Sequence, residues 1–303
     1  MNVEPDVVEL TVDHARFIAE TLGAGSFPSV LAITTPHQDT AEHKAWSACQ
    51  SAELTRMGVL SARGVVEPAV ADLVRVVCFA DRWLDLRHVA CAPAAGAWEL
   101  LRGVVARCDD VSAETVVALR HGELITLAAL DICAAGALIP VLGVGLVDRS
   151  PARFDEVSLP TEVGSLADEM FQAGASVAEV AHYLDIAESA RSVVESVFGG
   201  PRRCVEIVVG CRCDADLYAA AEVDVSIVDT TEGRVLVSTS RALNGEWIST
   251  FRPGTPSAIA AAIDQLTTDL PGGPWFRWRP VGGLREAGDS PEALWASLCH
   301  KSG

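Results

Sequence analysis

The 303-residue chain is half apolar, 21% charged and only 6% aromatic, a globular composition that excludes a disordered polymer and asks for a core of Val, Leu, Ile and Ala. Its formal charge is -18 and its nearest approach to a basic cluster, Arg202-Arg203, is followed by Cys204 and Glu206, so nucleic acid is not an expected partner. The longest uncharged run, Ile132 to Val147, carries Pro140 and three glycines and falls short of the roughly 20 residues that span a bilayer; no membrane association is expected, and the acidic opening MNVEPDVVEL, unlike a secretory signal, points to a cytoplasmic protein.

In chain order, Val12, Ala15, Phe17 and Ile18 predict a helix that Gly23, Gly25 and Pro28 stop. A short apolar run, Val30 to Ile33, follows. The next helix is expected from about Trp46 to Met57, and another after Pro68, where Val70, Leu73, Val74, Val77 and Cys78 keep one helical stripe; both are read as amphipathic. From Trp83 the period becomes two, with Leu84, Leu86 and His88 on one face. Strands are then expected near 100–107, 114–120 and 123–130, the last two joined through His121-Gly122 as a tight hairpin.

The second half repeats this order. Ser176 with Glu179 has capping-box spacing, and Ala190, Val193, Val194, Val197 and Phe198 form a helical stripe. Alternation resumes through Val205, Ile207 and Val209, then Val223, Val225 and Ile227, then Val235, Val237 and Thr239, then Trp247, Ser249 and Phe251, with turns at Glu232-Gly233 and Asn244-Gly245. Pro256 opens a last helix whose apolar face is Ile259, Ile263, Leu266 and Leu270. The matching order predicts an α+β fold: a central antiparallel sheet made of two meanders with helical bundles, built by internal duplication; the length allows one large domain or two of ordinary size. The repeats are placed at 1–150 and 151–274, and an irregular tail at 275–303. In the second meander Val228 and Leu236 are expected to share a face with Ser226, Ser238 and Ser240, a surface suited either to docking or to burial under the chain's own helices.

No GxSxG, HExxH or P-loop is present, and Gly23-Ala24-Gly25 follows a helix pattern rather than a strand. The nine cysteines show no paired spacing for zinc and read as reduced thiols. His37 and His43 with Asp39 and Glu42 read as a solvated loop rather than a metal site. Cys211-Arg212-Cys213 is expected in an exposed turn, which keeps open an alternative: a small-molecule enzyme using Cys211 or Cys213 as nucleophile. No cofactor is expected.

Several stretches carry a resemblance: Glu9 to Pro36, Gln50 to Val59, Trp83 to Val89, Ala137 to Leu146, Ala190 to Gly200 and Gly245 to Gly254. They resemble, in the same order, the EspG family of mycobacterial type VII (ESX) secretion, most like the branch serving the third ESX system. The resemblance implies a single domain over 1–303 and a non-enzymatic cytoplasmic chaperone that binds the tip of the PPE protein in a PE/PPE heterodimer, and it leaves open a weak homodimer. It implies contacts in the loop Cys91 to Trp98 and on the second meander, placed here at Ala92, Trp98, Arg212, Asp214, Ser226, Asp229, Leu236 and Ser238.

Overall fold

A computed structural model describes residues 7–34, 40–92, 97–109, 115–214, 217–268, 270 and 274–276. Its strands are β1 (Val7–Thr11), β2 (Arg82–Ala92), β3 (Ala97–Arg107), β4 (Thr115–His121), β5 (Leu124–Leu130), β6 (Val157–Pro160), β7 (Arg202–Asp214), β8 (Leu217–Thr230), β9 (Gly233–Arg241) and β10 (Trp247–Pro253). All ten join one sheet in the order β1-β5-β4-β3-β2-β7-β8-β9-β10-β6. The order reads as two equivalent runs: in each half a lone first strand pairs beyond the last strand of a four-stranded meander. This is the α+β, internally duplicated architecture that the turn chemistry predicts. The chain divides into two compact units, one of Met1–Leu86, Leu101–Ile132 and Gly210–Ala219, the other of Arg87–Leu100, Cys133–Val209 and Ala220–Gly303.

In the first unit β1 runs straight into α1 (Val12–Leu22). Thr11 ends the strand and caps the helix: its Oγ1 accepts from His14 N at 3.1 Å, while His14 Nδ1 accepts from Thr11 N at 3.4 Å. Two of the helix's free amide groups are thereby satisfied. Gly23 ends α1 at φ 62, a left-handed geometry that a Cβ would strain. Helix α2 covers Thr40–Met57, starting six residues earlier than expected, and it buries only a narrow stripe, Gln50 and Leu54 fully and Trp46 in part. The expectation of a broad amphipathic face does not hold there. Helix α3 (Pro68–Cys78) buries Val70, Leu73, Val74 and Val77 as its spacing dictates. With Ile18, Leu31, Leu54, Val104, Ala118, Ile125 and Leu127 they form one continuous core. Trp83 lies flat over Gly210, where any Cβ would overlap the indole; glycine is what lets that ring seat.

In the second unit β6 leads into α5 (Thr161–Gln172), α6 (Val177–Tyr183) and α7 (Arg191–Val194), the last extended by a π-turn, Glu195–Gly199. The Ser176 capping box forms as its spacing predicts. Two small clusters form here, beside further buried residues such as Val205, Ile207, Val209, Ile227 and Leu236. Ala152, Val193, Val197, Val228, Val235 and Phe251 make one; Ala167, Val180, Ala181, Ile186 and Val194 make the other. A short helix α4 (Ile139–Leu142) and the terminal α8 (Pro256–Thr268) pack in the same unit, α8 burying Ile259, Ile263 and Leu266. Of the expected tail only Trp275 and Phe276 are described, and Trp275 is buried.

Both lone strands, β1 and β6, escape the sequence reading. Each is four or five residues long and passes directly into a helix, so neither offers enough alternation to register as a strand.

Candidate functional site

The residues singled out from the sequence sit on three hairpins. Ala92 closes β2 and Trp98 opens β3; residues 93–96 between them, and the side chains of both, lie outside the described residues. Arg212 and Asp214 lie at the end of β7, where an exposed turn was expected. The strand is held there by Arg212 N donating to Asp81 O at 2.7 Å. Alternation carries through this stretch after Val205, Ile207 and Val209, so Cys211 points inward and is 1% exposed. Arg212 is half-buried as a residue; the side chains of Cys213 and Asp214 lie outside the described residues.

The remaining four lie on β8 and β9, and their register corrects the expected shared face. Ile227 pairs with Leu236, Val225 with Ser238, Asp229 with Arg234 and Ser226 with Val237. Directly paired residues in an antiparallel ladder point the same way. Leu236, Ser238 and Asp229 therefore share one face, while Ser226 and Val228 lie on the other. The sequence reading set Val228 beside Leu236 without knowing the offset, and one residue of register reverses a face.

Burial separates the four further. Leu236 is 1% exposed, a core residue with nothing to offer a partner. Asp229 is also buried: its Oδ1 accepts from Arg234 Nε at 2.7 Å, its Oδ2 from Arg234 Nη2 at 3.0 Å and from Val147 N at 3.0 Å. A bidentate guanidinium and a backbone amide together satisfy the buried carboxylate. Both residues are corrected from contacts to structural elements. Ser226 and Ser238 are half-buried, and neither hydroxyl has a hydrogen-bond partner among the described residues. On the Ser226 face, Thr239 Oγ1 instead binds Asp224, donating to its carboxylate and accepting from its amide at 3.0 Å.

Exposed apolar side chains in the second unit were missed by the sequence reading. Leu243 is fully exposed at the tip of the β9–β10 hairpin, and Tyr183, the last residue of α6, is 74% exposed. An apolar residue directly before the turn pair Asn244-Gly245 was the available signal, since a tight turn gives it no core to enter.

Of the two candidate nucleophiles, Cys211 is buried and the side chain of Cys213 lies outside the described residues. Burial pushes Cys78 up to about 12, and burial followed by the Asp81 charge pushes Cys108 up; a reactive thiol needs the opposite shift. No group of three or more His, Cys, Asp and Glu is placed to hold a metal among the described residues. Glu42 and His43 of the candidate metal loop are in α2, where His43 Nε2 lies 3.6 Å from Glu20 Oε2; His37 and Asp39 lie outside the described residues. No helix among them is long and apolar enough to cross a membrane.

Comparison with known proteins gives a consistent picture. The family model described as the EspG family matches residues 11–265. The chain is 58% identical over 282 residues to the ESX-3 secretion-associated protein EspG3 of Mycobacterium tuberculosis (strain CDC 1551 / Oshkosh), covering 91% of this chain and 95% of that protein. Identity to the EspG3 of Mycolicibacterium smegmatis is 51%, covering 91% and 92%. Among solved structures it is similar to the Mycobacterium tuberculosis type VII secretion system chaperone EspG5 in complex with the PE25-PPE41 dimer. That match has a TM-score of 0.70 at 17% identity and covers 89% of this chain and 99% of that one. A family model matched over so much of the chain, relatives at more than half identity and a ten-stranded sheet on the same fold together show that this chain belongs to the EspG family.

Proposed function

We propose that this chain is a cytoplasmic, non-enzymatic chaperone of ESX secretion that binds the PPE tip of a PE/PPE heterodimer and keeps it soluble until export. The observation that carries this reading is the fold shared over 89% of the chain with EspG5, a chaperone solved in complex with a PE25-PPE41 dimer; identity to two EspG3 proteins supports ESX-3 as the system served. The proposed contacts are Ala92 and Trp98 at the β2–β3 hairpin, Arg212 and Asp214 on β7, and Ser226 and Ser238, whose hydroxyls have no partner among the described residues; since the two serines point to opposite faces, a partner lying on one face of the sheet reaches only one of them. Asp229 and Leu236 hold β8 and β9 together. Leu243 and Tyr183 add exposed apolar anchors of the kind that dominate interfaces.

Such an interface needs roughly 1,200–2,000 Å² in total, and release before export asks for noncovalent complementarity. The test is co-expression of the chain with each PE/PPE pair of its cell. A cognate heterodimer is expected to stay soluble and co-purify; heterodimers equally soluble and equally secreted without the chain overturn the proposal. The Leu243→Asp variant is expected to weaken capture about tenfold, the order of effect of losing one exposed apolar anchor.

A further inference from the structure

The end of β7 carries Arg212, one of the proposed contacts, and its backbone is tied to the start of β2. Asp81, Trp83, Asp109, Gly210 and Arg212 all belong to the first unit. Asp81 joins three chain segments there. Its amide donates to Arg107 O at 2.9 Å, its carbonyl accepts from Arg212 N at 2.7 Å, and its Oδ2 accepts from Asp109 N at 2.8 Å. Asp109 is held in turn by the buried Arg82, whose Nη2 donates to Asp109 Oδ2 at 3.0 Å.

A side-chain contact acts beside this backbone tie. Alternation along β7 turns Val209 and Cys211 inward, both buried, and sets Gly210 and Arg212 on the opposite face. On that face the indole of Trp83 occupies the place of a side chain at 210. The contact and the hydrogen bond agree on one antiparallel register, 83 opposite 210 and 81 opposite 212. Trp83 is half-buried and packs against the continuous core of the first unit, so the ring is anchored in that core and seated on β7 at once.

The glycine is explained by that seat alone. Gly210 is not among the glycines at positive φ, so its backbone would accept any residue; what it could not accept is a Cβ, which would overlap the indole. A glycine inside a strand weakens it and marks a close approach. The neighbour that benefits is Arg212, which leaves the same face of the same strand from a fixed backbone. A contact presented from a fixed position binds with less ordering cost than one that must first be immobilised.

We propose that Trp83 and Gly210 are positioning residues for partner recognition: the indole seated on Gly210 fixes the end of β7, from which Arg212 is presented to the PPE tip. The inference rests on the chaperone reading, and both residues act through Arg212 rather than as contacts.

The test is a double-mutant cycle on the full chain, read as affinity for the PE/PPE heterodimer that co-purifies with the parent. G210A and R212A are each expected to lose at least fivefold in affinity. The G210A/R212A double variant is expected to lose no more than R212A alone, because a displaced Arg212 and a missing one are equivalent. Melting is followed in parallel; a smaller folded fraction lowers capture by the same factor in both backgrounds and so cannot mimic the coupling. W83L, which removes the ring but keeps an apolar side chain, is expected to give the same cycle and takes the place of G210A if that variant does not fold. Parent-like affinity of G210A and W83L, parent-like affinity of R212A, or costs that multiply in the double variant would each overturn the inference and leave the chaperone reading intact. Failure of the parent to capture any heterodimer would overturn both.

Discussion

Over β1–β5 the helices α1 and α3 press a single continuous core against the sheet, running from Leu10 through Ile18 and Val74 to Leu127. Over β6–β10 the equivalent layer is broken into two small clusters under α5, α6 and α7, interrupted by a 3-10 turn (Glu188–Ala190) and a π-turn. The strand topology of the two halves is the same; the helical layers are not. One topology therefore supports both a tightly packed scaffold and a looser layer. Both halves leave apolar side chains exposed, Val65 and Phe79 in the first and Tyr183 and Leu166 in the second. Elements with small cores sit at the low-stability end of a fold, which is where ligand-binding segments are found.

The largest expected effect tests the buried ion pair that ties β8 to β9 in the second half. Asp229→Ala leaves Arg234, whose side chain is only 16% exposed, without its carboxylate. It is expected to cost about 3–5 kcal/mol, as loss of one member of a buried pair does, measured by urea unfolding. Arg82→Ala in the first half leaves Asp109, which is half-exposed, and is expected to cost clearly less. Next, the same truncation compares the two cores directly. Ile18→Ala in α1 is expected near the upper end of the roughly 2–5 kcal/mol range for buried Ile, and Ile186→Ala after α6 near the lower end, because a small cluster collapses more readily around a cavity. Equal costs would break the comparison.

A third prediction concerns acid. His88 on β2 is 3% exposed, both its ring nitrogens lack hydrogen-bond partners among the described residues, and burial pushes it down to about 4. The folded chain favours the neutral ring, so the unfolded chain binds the extra proton first. Stability is then full above the ordinary value of 6.5 and falls as pH drops from there to about 4, by on the order of 3 kcal/mol. His88→Leu is expected to flatten that slope; an unchanged pH profile would contradict it. The smallest effect is at the α6 cap. Ser176→Ala is expected to cost about 1 kcal/mol. Ser176 also holds the Glu179 carboxyl below its usual range through two hydrogen bonds. That contribution is present above the usual carboxylate pKa and fades as pH falls through the lowered one, so the gap between variant and parent should narrow in acid, leaving the amide cap that the hydroxyl accepts from Glu179 N.

Most of the sheet was legible because its strands alternate and its turns are chemically explicit. Gly122, Gly233 and Gly245 all sit at positive φ where the turn pairs demanded it. What was not legible depends on long-range pairing. Whether Leu236 faces the same side as Val228 is decided by β8–β9 register, and whether Cys211 belongs to a turn or a strand is decided by a backbone bond to Asp81. Neither fact has a local signature. Asp229 and Leu236, read from the sequence as contacts, are therefore buried instead.

The two short outer strands have one more consequence. Each ends its side of the sheet with only four or five residues and then leaves the plane as a helix, and β6 closes on Pro160, which lacks an amide to donate. A protein whose proposed task is to handle sticky cargo thus offers that cargo little free ladder on which to polymerise.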